Sequence, residues 1–336
     1  MIKRIVINAL ATSPILNIGN KLYRHKVPIF MMHRMAVSAN GIRGHEPSLL
    51  RDCLSFLRKH DFNVVTIDDV AQAALTDKQL PAKSVAFTFD DGYADQVSIA
   101  TDIFVEYDYP ATFYITTGFA HGDLWFWADK VNFIVDNCTE KQRTRLINLF
   151  PKLQLLLETG PHVSIEHLLI EELKSYEIKT INKTINAAAI AVGIELPVQA
   201  PKKYQPSSWD DLRSIEKRGM TVGAHTYSHA VLSRESNETS KAEIERSTHD
   251  VYRELQNPSK VFCYPVGRHQ DYSQREIDYA RRIGYIGAVS SIPGAMDISK
   301  KERVFSMPRF GFPETKEDFV QYATWLESFK GQLRKT

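Results

Sequence analysis

The chain has 336 residues, 43% of them hydrophobic, and a formal net charge of +2 from 42 basic and 40 acidic side chains. This length and composition suit one large globular domain or two small ones, and with so balanced a charge we expect no nucleic-acid partner. Three cysteines, Cys53, Cys138 and Cys263, are too few for a disulfide scaffold and lack the paired spacing of a cysteine-based zinc site.

The first 24 residues form an N-terminal extension that we expect to be helical. Lys3 and Arg4 precede a short apolar run that Asn8 interrupts, which is brief for a signal peptide. We therefore expect a cytoplasmic protein, with export as the alternative because residues 9–11 resemble a cleavage site. Residues 2–24 also fit an amphipathic helix on a membrane face, although we favour a helix packed on the domain. No segment approaches the roughly 20 apolar residues of a transmembrane span.

Short apolar runs alternate with segments of helical period in two parts of the chain, 25–117 and 207–320. This alternation is typical of parallel strands with crossover helices, so we predict an α/β fold, a distorted (β/α) barrel of about seven strands. The strand-like runs are 27–32, 62–67, 85–89, 111–116, 220–224, 261–264, 285–289 and 304–307, and helices are predicted at 48–60 and 95–107.

Residues 118–206 break this alternation because they are helical in period and poor in strands. We interpret them as a helical insertion between the two parts of the barrel, and residues 321–336 as a C-terminal helix or tail. The sequence from Ser208 to Asp211 resembles a capping box that begins the helix after the insertion.

Two adjacent carboxylates follow the apolar run 85–89, in the sequence TFDDGY from Thr88 to Tyr93. Neighbouring acids on a turn can point in different directions. Either Asp90 or Asp91 can therefore bind a metal while the other stays free as a base. The alternative is an ordinary Asp-Gly turn whose acids are solvated.

Two histidines, His225 and His229, follow the run 220–224 at a spacing of four residues. Together with one aspartate they make a three-ligand metal site that leaves a position for water, as catalytic sites do. A surface helix pair is the alternative. His33 and Arg309 also follow strand-like runs, at the ends where an α/β barrel keeps its active site.

In the segments 88–93 and 225–229 the chain resembles the polysaccharide deacetylases of carbohydrate esterase family four. The resemblance implies that Asp90 is the general base and that Asp91, His225 and His229 bind the metal. Residues 262–267 look like a third motif of the family, in which the backbone N–H of Val266 helps to hold the oxyanion.

The third motif departs from the family because Cys263 stands where an arginine is usual. Arg309 is the candidate substitute that orients Asp90 through a charge-assisted pair, with a surface arginine as the alternative. The segment around His33 resembles the branch of biofilm-polysaccharide deacetylases with permuted motif order, in which this histidine comes first. His33 is therefore the candidate general acid, against an ordinary core or surface histidine.

Five residues near these motifs are the candidates for substrate binding: Tyr93, Tyr264, Pro265, Trp125 and Trp127. Aromatic faces suit the apolar face of a pyranose, so the two tryptophans are candidates to stack on sugar rings, although we favour packing inside the insertion for them.

The resemblance implies a metal-dependent hydrolase that removes N-acetyl groups from amino sugars of a polysaccharide or glycan precursor. Zinc is the expected metal for two histidines and one aspartate, and the same ligands also take nickel or cobalt. The alternatives are a metal-dependent hydrolase of a small amide, imide or formamide, including an N-formyl sugar, and a carbohydrate-binding protein without catalysis.

Overall fold

The computed structural model describes residues 18–19, 24–76, 78–150 and 164–327. The predictions of a helical or membrane-bound N-terminal extension therefore fall almost wholly outside the described residues, as do parts of the insertion and of the C-terminal tail. None of the helices among the described residues is both long and apolar enough to cross a membrane.

Nine strands and twelve α-helices make up the described part of the chain. The strands are β1 (Lys26–Met32), β2 (Asn63–Val64), β3 (Ser84–Phe89), β4 (Thr112–Ile115), β5 (Thr221–Ala224), β6 (Val261–Cys263), β7 (Gly287–Val289), β8 (Ala295–Asp297) and β9 (Phe310–Gly311). The helices are α1 (Pro47–Lys59), α2 (Ile67–Leu75), α3 (Thr101–Glu106), α4 (Thr117–Ala120), α5 (Trp127–Asn137), α6 (Glu140–Asn148), α7 (Ile165–Leu173), α8 (Ile178–Val192), α9 (Trp209–Lys217), α10 (Asn237–Glu254), α11 (Gln274–Arg282) and α12 (Lys316–Ala323).

The central sheet has seven strands in the order β5-β4-β3-β1-β8, with β2 against β3 and β9 against β1. All of its pairings are parallel except that between β1 and β8. The separate pair β6–β7 is connected to β5 by a hydrogen bond from Ser259 N to Val222 O (2.8 Å). Met307 then pairs with Val289 next to β9, which returns to β1. The strands thus form the predicted distorted barrel.

The interior follows from the sequence pattern. Every residue of β3 is buried, as expected of a parallel strand with both faces covered. Helix α1 begins with Pro47 at its first position, where a missing N–H costs nothing, and buries Leu50, Leu54 and Leu57 on one face. The predicted capping box is confirmed at the start of α9, where the Ser208 hydroxyl accepts from Asp211 N and the Asp211 carboxylate from Ser208 N.

Two parts of the strand prediction are wrong. The run 304–307 is a 3₁₀ helix over Lys301–Ser306, with only Met307 bridging to a strand, because burying Val304 and Phe305 does not require an extended backbone. The antiparallel strand β8 and the strand β9 were not predicted, since three and two residues are too few to reveal alternation.

The segment predicted as an insertion carries α4 to α8 and builds its own hydrophobic core from Trp127, Val131, Ile134 and Ile181 among others. Helix α12 begins at Lys316, before the boundary expected for a C-terminal helix at 321.

Candidate active site and metal centre

The site lies where the carboxyl ends of the parallel strands meet. Asp90 and Asp91 directly follow β3, His225 follows β5, and His33 follows β1. Arg309 comes between Met307 and β9. Parallel pairing brings these strand ends to one edge of the barrel, which is where such folds hold their reactive groups.

Arg309 and Asp90 form a buried bidentate pair. The two terminal guanidinium nitrogens each donate to one oxygen of Asp90, both at 2.7 Å. The side chains are 1% and 3% exposed. Arg309 also donates to Ser290 O (2.8 Å) and to the Thr88 hydroxyl (3.0 Å), so its orientation is fixed. Burial opposes ionisation of Asp90, but the charge of Arg309 and its hydrogen bonds hold the pKa of Asp90 well below the usual range.

Asp91, His225 and His229 bring three metal-ligand atoms together. Asp91 Oδ1 lies 3.7 Å from His225 Nε2 and 3.5 Å from His229 Nε2. Donor atoms about 2 Å from a tetrahedral ion lie about 3.3 Å from one another, so the three atoms fit around one divalent cation. A hydrogen bond also orients the His225 ring. His225 Nδ1 donates to Cys263 O (2.9 Å), which leaves His225 Nε2 as the candidate ligand atom.

The electrostatics of the three residues agree with this fit. Burial lowers the pKa of His225 to about 4 and that of His229 well below its usual value, so both rings are neutral and able to ligate at neutral pH. Burial and the charge of Asp90 raise the pKa of Asp91 to about 8, and a bound cation favours its ionised form.

A second set of donor atoms, from Asp90, His225 and Cys263, is a poorer metal site. Both oxygens of Asp90 are engaged by Arg309. Burial raises the pKa of the Cys263 thiol well above its usual value, so the thiol stays protonated, whereas the thiolate is the form that binds metals.

Backbone strain is concentrated at this edge of the barrel. Seven non-glycine residues in the described part of the chain have positive φ, and four of them, Asp91, Thr226, His229 and Val266, lie in the three loops of the site, with φ of 88°, 62°, 58° and 61°. Such conformations cost free energy and persist where the surroundings enforce them. The clustering therefore marks these loops as a functional region.

Two buried side chains that were not predicted from the sequence, Gln96 and Glu243, hold two of these loops. Gln96 Oε1 accepts from Gly92 N (3.0 Å) and Tyr93 N (2.9 Å), and its amide donates to Asp90 O. Glu243, on α10, accepts from Ser228 N (2.8 Å), the Ser228 hydroxyl (2.6 Å) and Tyr227 N (3.0 Å). Glu243 therefore fixes the backbone between His225 and His229, the two candidate metal ligands.

The two remaining catalytic candidates lie on the same edge. His33 is exposed, yet desolvation by the surrounding protein lowers its pKa while the charge of Asp90 opposes the shift. Val266 is half-buried, and its backbone N–H has no hydrogen-bond partner among the described residues, so it is available to an oxyanion.

All five predicted substrate-binding residues are buried. Trp125 and Trp127 are 4% and 3% exposed and pack in the hydrophobic clusters of the insertion. Tyr264 stacks on Tyr272 with ring centroids 4.0 Å apart, and Pro265 is buried. These side chains support the site from behind, because large apolar surface is more stable in the core than in a polar cleft. Tyr93 is also buried, but it lines a cleft at Asp91.

Trp127 and its neighbour Phe126 instead contact His229, a candidate metal ligand. The Trp127 indole N–H reaches His229 O at 3.5 Å, and the Phe126 ring meets the His229 ring edge to face at 5.1 Å. On another side, Glu171 of α7 forms an ion pair with Arg268 (2.8 Å), in the loop after β6. The insertion thus packs directly against the site.

Residues 77–142 and 158–287 match the family model described as polysaccharide deacetylase, and these ranges are more than half of the chain. The chain belongs to the polysaccharide deacetylase family. The matched ranges include Asp90, Asp91, His225 and His229, and they extend into the segment 118–206 that we interpreted as a helical insertion. His33 and Arg309 lie outside them.

Solved structures show that the fold is that of known deacetylases. The Streptococcus pyogenes deacetylase PplD, in complex with acetate, is 19% identical, with a TM-score of 0.57 over 89% of this chain and 98% of that one. IcaB from Ammonifex degensii is 14% identical, with a TM-score of 0.57 over 90% and 97%. The BpsB deacetylase domain from Bordetella bronchiseptica is 13% identical, with a TM-score of 0.51 over 84% and 94%. No curated protein matches.

As a polysaccharide deacetylase, the protein is a hydrolase of carbon–nitrogen bonds that acts on acetylated polysaccharide. The family is generally metal-dependent, and Asp91, His225 and His229 provide a set of residues able to hold an ion.

Proposed function

We propose that the protein removes N-acetyl groups from amino sugars of a glycan, with a divalent ion held by Asp91, His225 and His229 and with Asp90 as the general base. The observation that carries the proposal is that the two adjacent carboxylates have different partners. Arg309 engages Asp90, whereas Asp91 faces the two imidazoles.

Two imidazoles and one carboxylate suit zinc, and nickel or cobalt accept the same ligands. When bound, the ion supplies a Lewis acid that polarises the acetyl carbonyl and lowers the pKa of water.

Asp90 accepts the proton of the attacking water. Arg309 keeps the Asp90 carboxylate ionised and fixes its direction. Each Asp90 oxygen accepts one hydrogen bond from Arg309 and retains a second lone pair that can accept the proton. The backbone N–H of Val266 donates to the oxyanion that develops on the acetyl oxygen, as preorganised backbone donors do.

His33 donates a proton to the leaving amine. Desolvation lowers the pKa of this ring, whereas the charge of Asp90 opposes the shift and favours the protonated form that a general acid needs. The products are acetate and a free amino sugar.

The test is acetate release from oligomers of N-acetylglucosamine by the purified full chain, before and after chelation and after zinc is added back. Release that stops on chelation and returns with the metal supports the proposal. Formate release from an N-formyl sugar without acetate release from the oligomers would contradict it.

A further inference from the structure

A cleft of about 440 Å³ opens beside Asp91. Its lining includes Arg34 and Arg43 from the segment after β1, and Asn132 of α5 and Glu166 of α7 from the insertion. We call it the insertion cleft. Its volume lies in the range of ligand-binding sites, and its lining includes Asp91, one of the three candidate metal ligands.

Most charged groups of the insertion cleft are already paired with each other or with neighbouring groups. Arg34 donates to Asp95 (2.7 Å) and to Lys203 O (2.7 Å). The Lys203 ammonium lies 3.1 Å from Asp136, and the buried Asp129 accepts from the Tyr93 hydroxyl (2.6 Å). These groups shape the cleft and have little charge left to attract an ion.

Three polar side chains of the lining remain available. Within the part of the chain that the structure describes, Arg43, Asn132 and Glu166 have neither a hydrogen bond nor an ion pair. They offer one cation, one amide and one carboxylate, so their charges cancel. A set of donors and acceptors without net charge fits a ligand rich in hydroxyl and amide groups better than an anion.

The aromatic rings of the insertion cleft are not free to stack on a ligand. Tyr93 is 5% exposed, with the Arg34 guanidinium 4.0 Å from its ring centroid and Phe126 stacked at 5.3 Å. Tyr204 is 4% exposed. Recognition in this cleft therefore depends on hydrogen bonds.

We propose that the insertion cleft binds the sugar next to the one that is deacetylated, as an uncharged pyranose of a glycan chain. The proposal rests on the proposed function, since it takes Asp91 to mark the reacting sugar. It gives the insertion a role, which is to select chains of amino sugars over single ones through Asn132 and Glu166.

The test compares the zinc-loaded full chain on N-acetylglucosamine and on its trimer. We expect kcat/KM for the trimer to exceed that for the monomer by roughly tenfold or more, because several hydrogen bonds are added. Asn132→Ala and Glu166→Ala should each lower this ratio by roughly three- to tenfold. The matched controls are Asn137→Ala and Glu172→Ala, which lie on the same two helices outside the cleft lining and should leave the ratio unchanged.

Calorimetric binding of the trimer separates this proposal from the proposed function. Equal kcat/KM for monomer and trimer, or a ratio that neither cleft variant changes, overturns the cleft proposal while acetate release still supports the function. Trimer binding that weakens in Asn132→Ala, without any acetate release, supports the cleft and contradicts the function. Absence of both binding and release contradicts both.

Discussion

Arg309 holds both carboxylate oxygens of Asp90 at 2.7 Å, although 219 residues separate the two in sequence. Cys263 stands where the family's third motif usually has an arginine beside this carboxylate. The Cys263 sulfur lies 3.4 Å from the Arg309 guanidinium. The guanidinium therefore reaches Asp90 from a different strand end, and the short thiol leaves room for it. Asp90 therefore has Arg309 as its partner, whereas Asp91 faces His225 and His229.

Arg309→Lys should lower kcat by about 100-fold and leave bound metal unchanged, because an ammonium cannot hold both oxygens and the carboxylate loses its direction. Steady-state kinetics with elemental analysis measures both effects. Arg303→Lys, at an exposed arginine of the preceding 3₁₀ helix, is the control. Full activity of Arg309→Lys would remove the positioning role.

Arg309→Met should lower the free energy of unfolding by about 3–5 kcal/mol, because it leaves the Asp90 carboxylate buried without its partner. The double variant Asp90→Asn, Arg309→Met should regain part of this loss, since no buried charge then remains. Urea denaturation of the wild type and the variants measures the coupling. Additive losses would mean that the two groups do not stabilise each other.

His33→Ala should retain the metal and lower kcat by roughly 100-fold or more, the usual contribution of a general acid. The measurement is acetate release together with metal content. A fully active variant would assign the proton donor to another residue.

Glu243→Gln should weaken metal affinity by about 10- to 100-fold, the typical cost of losing a group that orients metal ligands. An amide oxygen accepts the Tyr227 and Ser228 N–H groups less strongly than a carboxylate does. Competition with a chromophoric chelator gives the dissociation constant. Glu245→Gln, two residues along α10 and exposed, is the control, and equal affinity in both variants would contradict this role.

The motif residues could be predicted from the sequence because each follows a strand with a clear apolar pattern. Asp90 and Asp91 follow the fully buried β3, and His225 follows β5. In a parallel barrel, local patterns of this kind are enough to predict that these residues meet at one edge.

The groups that orient those residues could not be predicted, because their partners depend on packing between distant elements. Glu243 lies on an amphipathic helix whose acids look alike in sequence, and only the fold turns this one inward. Trp125 and Trp127 were candidates to stack on sugars because they lie near the site in sequence, and they take the role that was favoured for them, which is packing in the core of the insertion. The insertion cleft joins residues that are about 100 positions apart.

The most direct test of the account compares Asp90→Asn with His225→Ala for bound metal and for acetate release. We predict that Asp90→Asn keeps a full complement of divalent ion and releases no acetate, whereas His225→Ala loses both. Equal loss of metal in the two variants would contradict the separation of base and metal ligands on which the account depends.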